Sequence, residues 1–303
     1  MLVCAYAASS SPVFFQATNI RHTLLALVPA ALVAMAQLNV LMVRGIDVSV
    51  GAMMSLTVVT ASYTLSLGYG APLLALGVLI CLGLGAAVGL TNGLVVRLGG
   101  INAVITTIAM LSIVQGAALI GRPTPGGLIS PEFTSLLKGR LGLIPYSTLL
   151  IISLAIIGDY WLHGTRGGLE ARATGFNEES ARRNGVRVTF VHLRAYVLSG
   201  AMSALAGLFL GALVAVGHPT VGQNFTLAAI AAAVLGGASL TGGRGSFAGA
   251  ALGALFFTSF LNVISLLGFS SSVAVIASGI MTLLAVFMYS GLSRVQGLAK
   301  SLR

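Results

Sequence analysis

Charge is what this chain has least of. Six acids and sixteen bases make 7% of its 303 residues charged, where a soluble domain carries about a quarter. With 57% of residues hydrophobic, too little polar surface remains for a water-soluble fold, and the chain reads as an integral membrane protein. Lysine is almost missing. Only Lys138 and Lys300 occur and neither follows a glycine, so a GxxxxGK[ST] phosphate loop is excluded and the chain has no ATP site of its own. The two cysteines, Cys4 and Cys81, sit in apolar stretches with no CxxC and no neighbouring histidine, which excludes a disulfide framework or a cysteine metal site. His22, His163, His192 and His218 are spread over four loops. No HExxH, Ser/His or paired-carboxylate arrangement brings two catalytic groups within reach, so an enzyme finds no residues here. A basic patch interleaved with aromatics is also missing, and the net charge of +10 is therefore not a nucleic-acid signature.

What is present is a succession of apolar segments. Residues 22–43, 49–67, 72–96, 102–121, 147–163, 194–216, 225–240, 246–267 and 273–290 are predicted to span a bilayer as helices, since helices satisfy their backbone groups internally. The first fifteen residues, MLVCAYAASSSPVFF, are apolar but shorter than the roughly 20 residues a crossing helix needs. Lacking a basic region ahead of the apolar run, they read as the tail of a truncated first transmembrane helix rather than a signal peptide. The fold class expected is an all-α polytopic membrane bundle of about ten helices. With no soluble insert or short repeat, residues 1–303 form one membrane domain.

The bases set the orientation. If residues 164–194 face the cytoplasm, alternation puts twelve of the bases on that side, among them Arg44, Arg97, Arg244, Arg294, Lys300 and Arg303. The other side receives Arg21, Arg122, Lys138 and Arg140. The positive-inside bias then makes both termini cytoplasmic.

Residues 164–194, GTRGGLEARATGFNEESARRNGVRVTFVHLR, hold six of the bases and three of the acids, which cannot sit in hydrocarbon. Asn177 is placed to cap a short helix, Glu178 and Glu179 lie in its first turn, Arg182 and Arg183 in its last, and Gly185 stops it. Opposite it, residues 122–146 form a long external connection rich in Pro and Gly, able to fold over the mouth of a pathway. Gly85, Gly89 and Gly93, Gly207 and Gly211, and Gly245, Gly249 and Gly253 recur every four residues and mark faces for close helix contact. The run GGASLTGGRG, with Gly236, Gly237, Gly242, Gly243 and Gly245, resembles a broken-helix corner. Asp47, between Arg44 and Gly51, is read as the cap of a helix beginning at Val48 or Ser49, paired with Arg44; a proton or ion site is the alternative. For Asp159, beside Trp161 and His163, snorkelling at an aromatic belt is enough.

VRGIDVSVGA at 43–52, GLTNGLVV at 89–96, the 166–186 loop with its spaced Gly175, Asn177, Ala181 and Gly185, AYVLSGAMSALAG at 195–207 and AAIAAAVLGGASLTGGRGSFAGAALGAL at 228–255 together resemble the permease subunit of ribose-type ABC importers. This is the monosaccharide branch of the superfamily that includes branched-chain amino acid permeases, and the resemblance runs from about residue 19 to 287. The family's usual Gly-Gly-Ile-Asp reads Arg44-Gly45-Ile46-Asp47 here. The resemblance implies a paired permease, as homodimer or with a similar partner, working with two cytoplasmic ATPase subunits and a periplasmic solute-binding protein. ATP and Mg then belong to the partner ATPase, and this chain needs no cofactor. It also implies that Gly175, Phe176, Asn177, Glu178, Glu179, Arg182, Arg183 and Gly185 form the element the ATPase grips, driving alternating access. Polar uncharged groups within the spans, Gln37, Asn39, Thr57, Asn92, Thr106, Thr107, Gln115, Thr226 and Asn262, are expected along the pathway, each with a hydrogen bond to another helix or to its own preceding turn as its alternative. A branched-chain amino acid permease and a secondary transporter are the competing functions.

Overall fold

The computed structural model describes residues 13–301, and side chains through Phe287. The apolar segment expected at 1–15 lies almost wholly outside the described residues. Helices follow one another as α1 (Ala17–Met42), α2 (Val50–Thr64), α3 (Ala71–Arg97), α4 (Ala103–Gly121), α5 (Pro131–Lys138), α6 (Tyr146–Gly164), α7 (Arg166–Phe176), α8 (Glu178–Arg183), α9 (Val188–Val214), α10 (Phe225–Leu235), α11 (Phe247–Leu266) and α12 (Ser271–Ser301). Each of the nine expected segments contains a helix, though 225–240 is helical only through Leu235. Among the described residues six helices, α1, α3, α4, α6, α9 and α11, are long and apolar enough to cross a membrane, and α2, α10 and α12 over Ser271–Phe287 are shorter, so the expected count of about ten spans is not reached on length.

Helix α1 is the axis of the bundle. From Leu27 to Met42 almost every side chain is buried, because α9, α11, α10 and α6 pack around it. At 26 residues it is about 39 Å long, enough to cross the roughly 30 Å hydrocarbon layer. Helices α3 and α9 meet backbone to backbone: a Cβ on Gly85 or Gly89 would overlap the carbonyls of Gly200 and Tyr196. This contact is the one the four-residue glycine spacing announces, and Gly249 and Gly253 make another against Gly236 and Ala232 on the α10 side. Gly245 is not on that helix face. It sits ahead of α11 with φ +151°, in the corner itself.

Two stretches inside the bundle are not helical. Residues 43–49 leave α1 through Arg44 in the left-handed region (φ 62°). Residues 215–224 leave α9 through Ala215, also left-handed (φ 62°), and pass Gly217, Pro219 and Gly222 before α10 begins. These breaks shorten α2 to 15 and α10 to 11 residues. Non-helical backbone at such depth needs partners from other helices. The amide of Gln37 brackets Asp47, donating to its carbonyl at 3.0 Å and accepting from its N–H at 3.3 Å. Thr107 Oγ1 donates to Ile46 O (3.1 Å), Gln115 Nε2 to Pro219 O (2.7 Å), and Gly222 N to Ser55 Oγ (2.9 Å).

The connection at 122–146 is structured. Strand β1 (Gly126–Leu128) pairs antiparallel with β4 (Val216–Gly217), and β2 (Arg140–Leu141) pairs with β3 (Ile144–Pro145). Ser130 caps α5 with Pro131 next, and buried Ile129 and Phe133 pin the segment to the ends of α2 and α9.

Candidate functional site

Helices α7 and α8 form a hairpin whose turn is Asn177. Thr165 caps α7 through Gly168 N. Asn177, extended at φ −160°, caps α8 by accepting from Ser180 N at 2.9 Å. Gly185 stops α8 at φ +80° while Val186 N closes back on Ala181 O at 3.1 Å. Every capping role expected at 177–185 is therefore present. At six residues α8 is too short to stand alone, and its order comes from what it touches.

Three stretches far apart in sequence meet at the end of α7. Arg44 Nε donates to Gly175 O at 2.7 Å, and its Nη2 donates to Phe176 O. These carbonyls have no partner within the helix, and a cation at a helix C-terminus also suits its dipole. Gly175 lies so close to the main chain that a Cβ would overlap the Met42 carbonyl and the Gly243 amide. Gly243 N in turn donates to Met42 O at 3.0 Å. The Arg244 guanidinium lies 5.5 Å above the ring of Phe176, which is 50% exposed. The glycine corner, the end of α1 and the hairpin are thus one junction. The left-handed backbone of Arg44 costs about 1–2 kcal/mol for a residue with a Cβ, a strain the two charge-assisted bonds offset.

The expected Asp47–Arg44 pair does not form. Asp47 Oδ1 accepts from Ser49 N (3.0 Å) and Ser49 Oγ (2.6 Å), and Oδ2 accepts from Ser199 Oγ (3.2 Å) on α9. Asp47 does not cap α2, whose N-cap is Ser49 with no side-chain cap bond; it holds Ser49 in the turn just ahead of the helix, and its partner on another helix is the Ser199 hydroxyl because Arg44 is turned towards α7. Asp159 also departs from expectation. Its carboxylate accepts from Phe247 N (2.6 Å) and Ala248 N (3.0 Å), capping α11 from the neighbouring α6.

On its far side α8 is tied to the bundle by Glu178. Arg97 Nη1 donates to Glu178 Oε2 at 2.9 Å, and His192 Nε2 lies 3.0 Å from Oε1. Partial burial works against ionisation of Glu178, but His192 and Arg97 outweigh it and hold its carboxyl below the usual glutamate range. Glu179 pairs with Arg183 along the exposed face at 3.1 Å. Between α7 and α8 lies an open cavity of about 450 Å³ lined by Leu169, Ala173, Phe176, Ala181 and Val186. Of the bases expected on one face, Arg44, Arg97, Arg244 and the 166–194 group do cluster here, and Arg294, Lys300 and Arg303 lie outside the described side chains. Arg122, at the other end of the bundle, stacks on Tyr63 at 4.4 Å.

The polar residues named for a pathway do not gather in one cavity. Gln37, Thr107 and Gln115 hold the unwound stretches, and Asn92 Nδ2 donates to Ser49 Oγ at 3.0 Å beside them. Thr226 abuts Gly51 where 215–224 passes α2. Asn39 and Thr57 bond their own preceding turns, at Met35 O and Met53 O. Thr106 is buried with no hydroxyl partner among the described residues. Asn262 pairs with Asn19 and alone of the nine lines a cavity of about 650 Å³ between α1, α10, α11 and α12. Sequence reasoning missed Ser55, in an apolar helix with no local motif to mark it, and Ser199, which lies in the AYVLSGAMSALAG segment but has no polar neighbour in sequence to point to Asp47.

The family described as branched-chain amino acid transport system / permease component matches residues 19–286. The ribose import permease protein of Escherichia coli (strain K12) is 32% identical over 95% of this chain and 90% of its own length. The autoinducer 2 import system permease protein of Enterobacter sp. (strain 638) is 34% identical over 78% of this chain and 68% of its own. The L-arabinose ABC transporter permease protein of Azospirillum brasilense is 31% identical over 91% and 80%. No solved structure matches the chain.

Proposed function

This chain belongs to the branched-chain amino acid transport system permease family, a multi-pass inner-membrane transport subunit rather than an enzyme, and we propose that it is the permease of an ABC importer for a monosaccharide. The likeness to a ribose import permease over 95% of this chain carries the reading of the solute. The arabinose relative is consistent with a sugar, and the autoinducer 2 relative widens the class to small polar solutes.

In this reading residues 164–194 and both termini are cytoplasmic, in line with the clustering of bases around the hairpin. A second permease copy, homologous or identical, completes the membrane unit; a periplasmic binding protein delivers solute to it. ATP and Mg act in a partner ATPase, which docks on Phe176, Asn177, Glu179, Arg182 and Arg183 and on the cavity beside them. Glu178 and Gly185 shape that surface from behind. Closure of the ATPase pair moves the hairpin, and the bundle alternates between outward and inward openings. The unwound stretches 43–49 and 215–224 are the parts free to change, because side chains rather than helical ladders hold their backbone. The hydroxyl and amide groups of Gln37, Thr107, Gln115, Asn92 and Thr226 border the route there, and Asn39, Thr57, Thr106 and Asn262 remain candidates along the neighbouring helices.

Uptake of radiolabelled ribose or arabinose into proteoliposomes holding this chain, its ATPase and its binding protein tests the proposal. Uptake that needs ATP and ignores an imposed proton or sodium gradient supports it. Uptake driven by the gradient without ATP would mean a secondary transporter.

A further inference from the structure

We propose that Arg44 is the positioning residue that carries movement of the α7–α8 hairpin into the unwound stretch 43–49 and the central helix α1. The inference rests on the reading that an ATPase moves this hairpin. Arg44 reaches the last carbonyls of α7, Gly175 O at 2.7 Å and Phe176 O beside it, so it grips the end of the helix next to the Asn177 turn. The hairpin's own ion-paired arginines, Arg166 and Arg183, bond Glu170 and Glu179 on their own helices, and its ties through Glu178 to Arg97 and His192 and through Gly167 O to Arg194 lead to α3 and α9, not to α1 or the unwound stretch.

The contact has no slack. Gly175 is seated against Met42 O and Gly243 N, and Gly242 lies against the Arg44 stem, where a Cβ would come within 2.6 Å of Cγ. On the other side, Arg44 N and Gly45 N close back on Leu41 O (3.0 Å) and Val40 O (2.9 Å) of α1. Three residues on, Asp47 is held by Gln37 of α1 and Ser199 of α9. A shift of the α7 end therefore displaces Arg44, and Arg44 cannot move without moving the start of the unwound stretch. Its left-handed φ of 62° fits this role. A position that glycine would occupy without strain instead holds the one side chain long enough to reach both carbonyls.

Arg44→Gly separates the link from the fold, because it removes both bonds while relieving the backbone strain; Arg44→Lys restores a single-point donor. In nanodiscs containing this chain alone, hydrogen exchange at residues 173–178 is expected to rise by about tenfold or more in Arg44→Gly, and to recover partly in Arg44→Lys. Arg166→Ala serves as control and leaves it unchanged. In the complete importer, Arg44→Gly is expected to retain ATP hydrolysis while solute uptake per ATP hydrolysed falls by about tenfold. A merely structural role would lower complex yield, hydrolysis and uptake together. Unchanged exchange with unchanged uptake per ATP in Arg44→Gly overturns the proposal. Failure of any ATPase to assemble with the unmodified chain would overturn the functional reading and this inference with it.

Discussion

Gly249 and Gly236 face each other so closely that a Cβ on either would overlap the other's carbonyl oxygen. The contact joins α11 to the end of α10, and the glycine corner that reaches Arg44 and Gly175 is built on it. Gly249→Leu forces the two backbones apart and is expected to cost a few kcal/mol, about the size of a severe overpacking. Thermal unfolding of the purified chain in detergent checks this. A variant that folds and melts like the unmodified chain would mean the close contact has no energetic weight.

Asp159→Ala removes the carboxylate that accepts from Phe247 N and Ala248 N, leaving two N–H groups at the start of α11 without it. The expected loss is about 1 kcal/mol, typical of a lost cap. Asp159→Asn, which keeps an acceptor oxygen, is expected to lose less. Comparing the two melting temperatures separates capping from any role for the charge.

Gly185→Val strains the stop of α8, since φ +80° disfavours a β-branched residue by about 1 kcal/mol or more. A Cβ there meets nothing within 4 Å, so the effect is local strain and not a clash. Phe176→Ala removes a half-exposed ring from the docking surface. Both variants are expected to insert normally and to lose solute-stimulated ATP hydrolysis in the assembled importer. Full stimulation in both would make the hairpin an inert loop.

The anchoring of α8 is expected to depend on pH. His192 and Arg97 hold the Glu178 carboxyl below its ordinary range despite partial burial. The stabilisation from that shift is complete above the unfolded carboxylate pKa and is lost as pH falls through the lowered folded value. Backbone hydrogen exchange at residues 178–185, corrected for the intrinsic pH dependence of exchange, is expected to rise as pH falls through the lowered Glu178 range. Glu178→Gln is expected to exchange rapidly at every pH. Exchange that does not respond to acid in the unmodified chain would show that Glu178 does not anchor α8.

Hydropathy made the helices legible, since long apolar runs in a chain so poor in charge leave no other fold. The ends were less so. Helix α9 begins at Val188 and not at 194, because its first turns carry His192 and Arg194 outside the apolar run while still bonding as helix. The caps of α8 were readable because Asn177 and Gly185 act on near neighbours. Ser130, Pro131 and Glu132 carried the same kind of signal for α5 and went unread. What could not be read was long range. Asp159 caps a helix 88 residues away, and Arg44 grips carbonyls 131 and 132 residues on. Nothing local distinguishes these partners from the nearer ones the sequence offered. The polar residues of the spans were visible as a set, but their division between unwound backbone and their own helical turns follows from two breaks that only packing reveals.

The central claim, that a cytoplasmic ATPase drives this permease through the α7–α8 hairpin, is tested most directly by cross-linking. A photoreactive amino acid in place of Ser180, on the exposed face of α8, is irradiated in intact cells and in inside-out vesicles, and the adduct is identified by mass spectrometry. The account predicts an adduct with a nucleotide-binding subunit, formed in both preparations and changed in yield by ATP. An adduct with a periplasmic protein, or one that an impermeant quencher outside intact cells abolishes, would contradict it.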